Sequence, residues 1–132
     1  MRILAIIGVL AIVTAGGALA AALSGWVDVS ATTDEPAPLH WLLETSRESA
    51  VRRQAADIGV PDLSGEGRVI GGADAFKDMC AGCHGAPGVE PEIGARDMNP
   101  PPPDLVEVAR ERSPAELFWI IKHGIRMTGM PA

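Results

Sequence analysis

No residue between Arg2 and Asp28 carries a charge, and this run limits what the chain can become more than any other feature. As a helix, residues 3–27 would span roughly 37 Å, against a bilayer hydrocarbon core of roughly 30 Å. A buried core helix of a small soluble protein is shorter and apolar on one face only. Two readings remain. A cleaved signal has an apolar region of roughly 7–15 residues followed by a small-residue site, and Ala18-Leu19-Ala20 could serve as that site. An uncleaved anchor has a longer run, which suits this chain better. Trp26 would then lie at the membrane–water interface, where Trp is favoured. Arg2 and the terminal amine precede the run, and Asp28, Asp34 and Glu35 follow it. The charge order puts the N-terminus in the cytoplasm and everything after residue 27 on the outer, periplasmic side.

The remaining residues carry nearly all the charge. Over the 132 residues the net charge is -6, and no basic stripe is present for phosphate binding, so nucleic acid is excluded as a partner. Aromatic residues are few and Tyr is absent. So small a domain buries limited apolar surface, and a large flat prosthetic group would add core that its side chains do not supply.

Asp34-Glu35-Pro36-Ala37-Pro38 reads as a rigid linker, because each proline fixes φ and disfavours helix. Residues 40–57 follow a helical pattern. Glu44 and Glu48 form a repulsive pair one turn apart, and Glu48 and Arg52 an attractive one. This segment is a spacer helix packed on its own domain rather than a docking helix. Residues 59–67 read as a loop, and a helix beginning near Gly71 runs into the cysteines. Residues 82–103 have neither helical nor strand period and hold four consecutive prolines, Pro100 to Pro103. A loop this long is unusual in a compact domain; wrapping around a cofactor would explain it. Ser113-Pro114-Ala115-Glu116 is a capping box with Pro at its first helical position, and Gly124 suits the C-terminus of that helix. No β alternation occurs. The fold class is all-α: a transmembrane helix, a juxtamembrane helix and a small helical domain around a cofactor. The expected boundaries are residues 1–27 for anchor or signal, 28–58 for linker and juxtamembrane helix, and 59–132 for the domain.

The two cysteines are three positions apart, which is a site rather than a disulfide framework. They stand in Cys80-Ala81-Gly82-Cys83-His84. Each thiol can add to one vinyl group of haem. Two intervening residues let one helical turn present both sulfurs to adjacent porphyrin edges and carry His84 beneath the iron. Gly82 avoids crowding the ring edge. A thioredoxin-like pair would need a preceding strand in a βαβ context, and none is visible. A zinc site needs four ligands, and His40 and His123 lie at no zinc-motif spacing. One covalent haem c is therefore the expected cofactor.

A haem iron held by His84 needs a sixth ligand for clean electron transfer, and a Met thioether supplies one that raises the potential. Met79 adjoins Cys80 and points away from the far side of the iron; Met98 precedes the prolines; Met127 and Met130 follow the last helix. Met130 lies in Thr128-Gly129-Met130-Pro131, whose irregular backbone can aim a side chain inward. Met127 competes with it, but lies nearer the helix end and is expected to pack against Ile121 or Ile125.

With these residues in place, the chain from about residue 69 to 132 resembles the monohaem class I cytochrome c family, and most closely its bacterial membrane-anchored subgroup with one span and one haem. The resemblance is carried by Cys80-Ala81-Gly82-Cys83-His84-Gly85, by Asn99-Pro100-Pro101-Pro102-Pro103-Asp104-Leu105, by the segment from Glu116 to Ile125, and by Thr128-Gly129-Met130-Pro131-Ala132. It implies that Cys80 and Cys83 hold the haem, that His84 and Met130 are the axial ligands of its iron, that Pro101 to Pro103 line the haem near His84, and that Trp119 packs near its edge. The family continues into a further C-terminal helix, so the sequence reads as incomplete after the Met loop, with nothing clamping that loop from outside.

The implied function is single-electron transfer on the outer face of the cytoplasmic membrane, by a carrier and not an enzyme. Its partners would be a redox donor and acceptor. From Asp57 onward acidic residues outnumber basic ones twelve to seven, a balance suited to a basic partner surface. The alternative is a haem c subunit of a membrane oxidase or dehydrogenase complex. A peroxidase would need an open iron site, against which Met130 argues, and a sensor would need an output domain for which no length remains.

Overall fold

The computed structural model describes all 132 residues, Met1 to Ala132. The chain is all-helical, and its only β feature is an isolated bridge between Ala86 and Val89. The helices are α1 (Arg2–Leu23), α2 (Ala37–Ala55), α3 (Glu66–Met79), α4 (Ala81–His84), α5 (Ile93–Arg96), α6 (Leu105–Glu111) and α7 (Pro114–His123). They divide into two units, Met1–Thr33 and Asp34–Ala132.

The first unit is α1 with a short polar tail. At 22 residues and about 1.5 Å per residue, α1 is about 33 Å long, and it is long and apolar enough to cross a membrane. It ends earlier than the apolar run. Ser24 caps it, its hydroxyl donating to the Ala21 carbonyl at 2.7 Å, so Trp26 and Val27 lie beyond the helix, both exposed.

In the second unit, α2 starts three residues earlier than its pattern indicates. Pro36 is its N-cap and Pro38 falls in its first turn. A first-turn residue has no helical partner for its N–H, so proline there costs nothing, and the linker is shorter than expected. Helix α2 packs on α7. Val51, 1 % exposed, and Ala55 are two of only three fully buried apolar side chains in the molecule, Ala95 being the third. The electrostatics of α2 are set by its own Arg47 and by the end of α6. Glu48 does not spend its carboxylate on Arg52, whose Nε reaches only the Glu48 backbone carbonyl at 3.4 Å. Instead Glu48 accepts from Arg112, at the end of α6. Arg47 lies between Glu44 and Glu48, at 3.4 and 3.5 Å, and offsets their expected repulsion. Burial alone would raise the Glu48 carboxyl, but the hydrogen bond and charge of Arg112, with help from Arg47, more than offset this and hold it below the usual glutamate range.

Helix α3 begins at Glu66, five residues before the expected start, with Gly65 as N-cap and no side-chain cap. Its glycines, Gly67, Gly71 and Gly72, have open space around them, so they lower helix propensity without any packing reason to break the helix. Helix α6 gave no clear sequence signal. It follows the four prolines directly, and its N-cap Asp104 accepts a 2.7 Å bond from the Val106 N–H. Helix α7 forms as expected. The Ser113 hydroxyl and Glu116 carboxylate complete the capping box, and Gly124 ends the helix with φ of 64°.

Candidate haem site

The site starts from one turn. Helix α3 closes on Cys80, and α4 resumes immediately. The Cys80 carbonyl accepts from the Cys83 N–H at 3.1 Å and from the His84 N–H at 2.9 Å. Cys80, Cys83 and His84 therefore share one helical turn, with the two thiols unpaired and half-buried. Gly85 ends the turn at φ of 69°. A methyl group there would lie 2.6 Å from the Val89 carbonyl oxygen and about 3 Å from the Pro91 ring, so only glycine lets the chain fold back beside His84. Gly82 has a different surrounding. A methyl group on it would meet the Glu92 carboxylate at 3.5 Å, an ordinary contact, so nothing within the protein itself demands glycine at that position.

His84 is oriented from a distance. Its Nδ1 lies 2.9 Å from the Pro103 carbonyl oxygen. That oxygen can only accept, so Nδ1 carries a proton, and in the neutral ring it is Nε2 that has the lone pair for a metal. A hydrogen bond from the non-ligating nitrogen to a fixed carbonyl holds the ring plane and favours the tautomer with the proton on Nδ1. The proline run thus contributes a backbone acceptor to the site, a role the sequence pattern did not specify.

Met130 is held on a separate element, the turn after α7. The Thr128 hydroxyl donates to the Ile125 carbonyl at 2.8 Å and accepts from the Met130 N–H at 3.2 Å. The Met130 carbonyl accepts from the Ile125 N–H at 3.3 Å. A methyl group on Gly124 would come within 2.7 Å of that same carbonyl, so the α7 terminus and the Met130 backbone are in direct contact. Met130 is half-buried. Met127 differs from expectation: it takes a left-handed conformation, φ of 62°, and is 84 % exposed. Instead of packing on Ile121 or Ile125, it is turned outward by that backbone.

The remaining candidates fall elsewhere. His40 faces Glu35 and Glu44 at 3.9 and 3.7 Å. His123 lies beside Trp119, ring centroids 5.1 Å apart and planes tilted by 39°. Neither joins the cysteines, and no three metal-ligating side chains of the His, Cys, Asp or Glu type come together. No strand precedes Cys80, which removes the thioredoxin-like context. The donor set fits haem c: two free thiols on one turn and an imidazole with its outer nitrogen tied to a carbonyl.

A family model described as cytochrome c oxidase, cbb3-type, subunit III matches residues 67–132. The chain belongs to this family. Its residues 67–132 form a monohaem cytochrome c domain, which binds haem c covalently and transfers electrons, with redox or membrane-complex partners. No curated protein and no solved structure matches the chain. The turn from Cys80 to His84 falls inside the matched region and is consistent with the haem attachment of this cytochrome c domain.

Proposed function

We propose that Cys80 and Cys83 carry the haem, that His84 Nε2 and Met130 Sδ are its axial ligands, and that the domain passes single electrons on the outer face of the cytoplasmic membrane, tethered by α1. The observation that carries this reading is the bond from His84 Nδ1 to the Pro103 carbonyl, which frees Nε2 for iron. The free thiols of Cys80 and Cys83 would hold the haem through one thioether bond each, formed at its vinyl groups with no change in overall oxidation state. The bound haem supplies a one-electron couple. The protein holds the imidazole orientation, presents the thioether, and offers an acidic surface to a basic partner. Residues 59–132 carry the haem-binding segment, and residues 28–58, whose helix α2 packs on α7, link it to the anchor of residues 1–27.

A second reading, a haem c subunit within a membrane oxidase, is favoured by the description of the matched family. Extraction of native membranes in mild detergent separates the two. A haem-staining species of the chain's own size supports the free carrier, and a much larger one the complex.

The ligand assignment is tested on the haem-loaded full chain. Met130→Ala should abolish the far-red sulfur-to-iron band of the oxidised protein, lower its potential and open the reduced iron to carbon monoxide. Met127→Ala should change none of these. The reverse pattern would move the ligand to Met127 and leave the haem attachment standing.

A further inference from the structure

The sequence pattern suggested no clamp on the Met130 loop, but a side chain from elsewhere in the chain touches it. The nearest atoms to a methyl group built on Gly129 all belong to Met98: Sδ at 2.6 Å, Cε at 3.3 Å and Cγ at 3.7 Å. The end of the Met98 side chain is therefore in contact with the residue that precedes Met130. On the other side, Gly124 abuts the Met130 carbonyl. The loop is gripped between the end of α7 and one thioether.

Met98 is itself tied to the Cys80–His84 turn. It follows α5, its N–H reaching the Ala95 carbonyl at 3.3 Å. Ala95 is buried, and the Glu92 N–H at the start of α5 donates to the Gly82 carbonyl at 2.9 Å. A continuous path of short contacts runs from Gly82, between the two cysteines, through α5 to Met98, and from there to Gly129 and Met130. A flexible, polarisable side chain suits such a joint, because it fills an irregular gap without imposing a rotamer.

We propose that Met98 is the positioning residue of the distal-ligand loop, locking Met130 in place and coupling that loop to the turn that carries His84. This rests on the reading of Met130 as the distal ligand. It assigns Met98 no bond to iron.

The test uses the full haem-loaded chain in detergent, with imidazole as a probe that binds the oxidised iron only when the Met130 loop opens. Met98→Ala should keep the sulfur-to-iron band but tighten apparent imidazole binding about tenfold, as the loop opens more readily. Met98→Leu, which conserves volume, should stay near the wild type. Gly129→Ala should also tighten imidazole binding, because its methyl meets Met98, and this effect should largely vanish in the Met98→Ala background. Such non-additivity is the signature of direct contact. Equal effects of Gly129→Ala in both backgrounds, or wild-type imidazole affinity in Met98→Ala, would overturn the clamp. Met130→Ala in parallel keeps the two readings apart. If it loses the band while Met98→Ala binds imidazole as wild type does, only the clamp falls. If the band survives Met130→Ala and disappears in Met98→Ala, then Met98 is the ligand and both readings fall.

Discussion

Replacing Arg112 by Gln tests how much the ion pair from the end of α6 to Glu48 of α2 holds the redox unit together. Arg112 and Glu48 are 17 % and 27 % exposed and hydrogen-bond across the fold. A fully exposed pair contributes about 0–1 kcal/mol, and breaking a fully buried one costs about 3–5 kcal/mol. This pair lies between those limits, so the expected loss is about 1.5 kcal/mol. For a unit of this length that corresponds to a fall in Tm of roughly 6–12 °C. The sign with pH follows from the depressed Glu48 carboxyl. Its stabilisation is fully present above the unfolded glutamate pKa and is lost as pH falls through the lower folded value. Thermal unfolding of the haem-loaded full chain in detergent, followed by far-ultraviolet circular dichroism and by the Soret band, should show the full gap at pH 7. The gap should narrow once the pH falls below the unfolded glutamate range. Glu48→Gln should reproduce most of the loss, and the double variant should cost less than the two single changes added. A gap that stays constant on acidification, or single effects that add fully, would refute the ion-pair reasoning and leave only shape packing around Val51.

Two further outcomes follow from the site and the first unit. Cys80→Ala and Cys83→Ala should each remove one thioether bond and reduce the haem-dependent peroxidase stain that survives denaturing electrophoresis; haem fully extractable with acid-acetone from the unmodified protein would disprove covalent attachment at this pair. Mass spectrometry of the mature chain should find an N-terminus at or before Ile3, whereas a terminus at Ala21 would turn α1 into a cleaved signal and the protein into a soluble carrier.

Much of the architecture is legible locally. The capping box at Ser113 and Glu116, the C-cap at Gly124 and the single turn from Cys80 to His84 all depend on neighbours within four residues, and local preferences act at that range. The misplaced boundaries are local effects read too strictly. Pro38 is tolerated inside α2 because first-turn N–H groups are orphans, and the glycines of α3 weaken a helix that nothing in its surroundings interrupts. Asp104 was a usable start signal for α6, hidden behind the prolines.

The sequence by itself determined the chemistry: two thiols and an imidazole at fixed spacing, an apolar run of membrane length, and methionines available as ligands. Only the tertiary structure decided which distant groups meet. Pro103 reaches His84 from 19 residues away, Arg112 reaches Glu48 from 64, and Met98 lies on Gly129. Such contacts leave no periodic trace, because they depend on how the prolines and glycines turn the chain between helices. Spacing along the chain specifies which groups can react, and loop closure in space specifies which of them are held still.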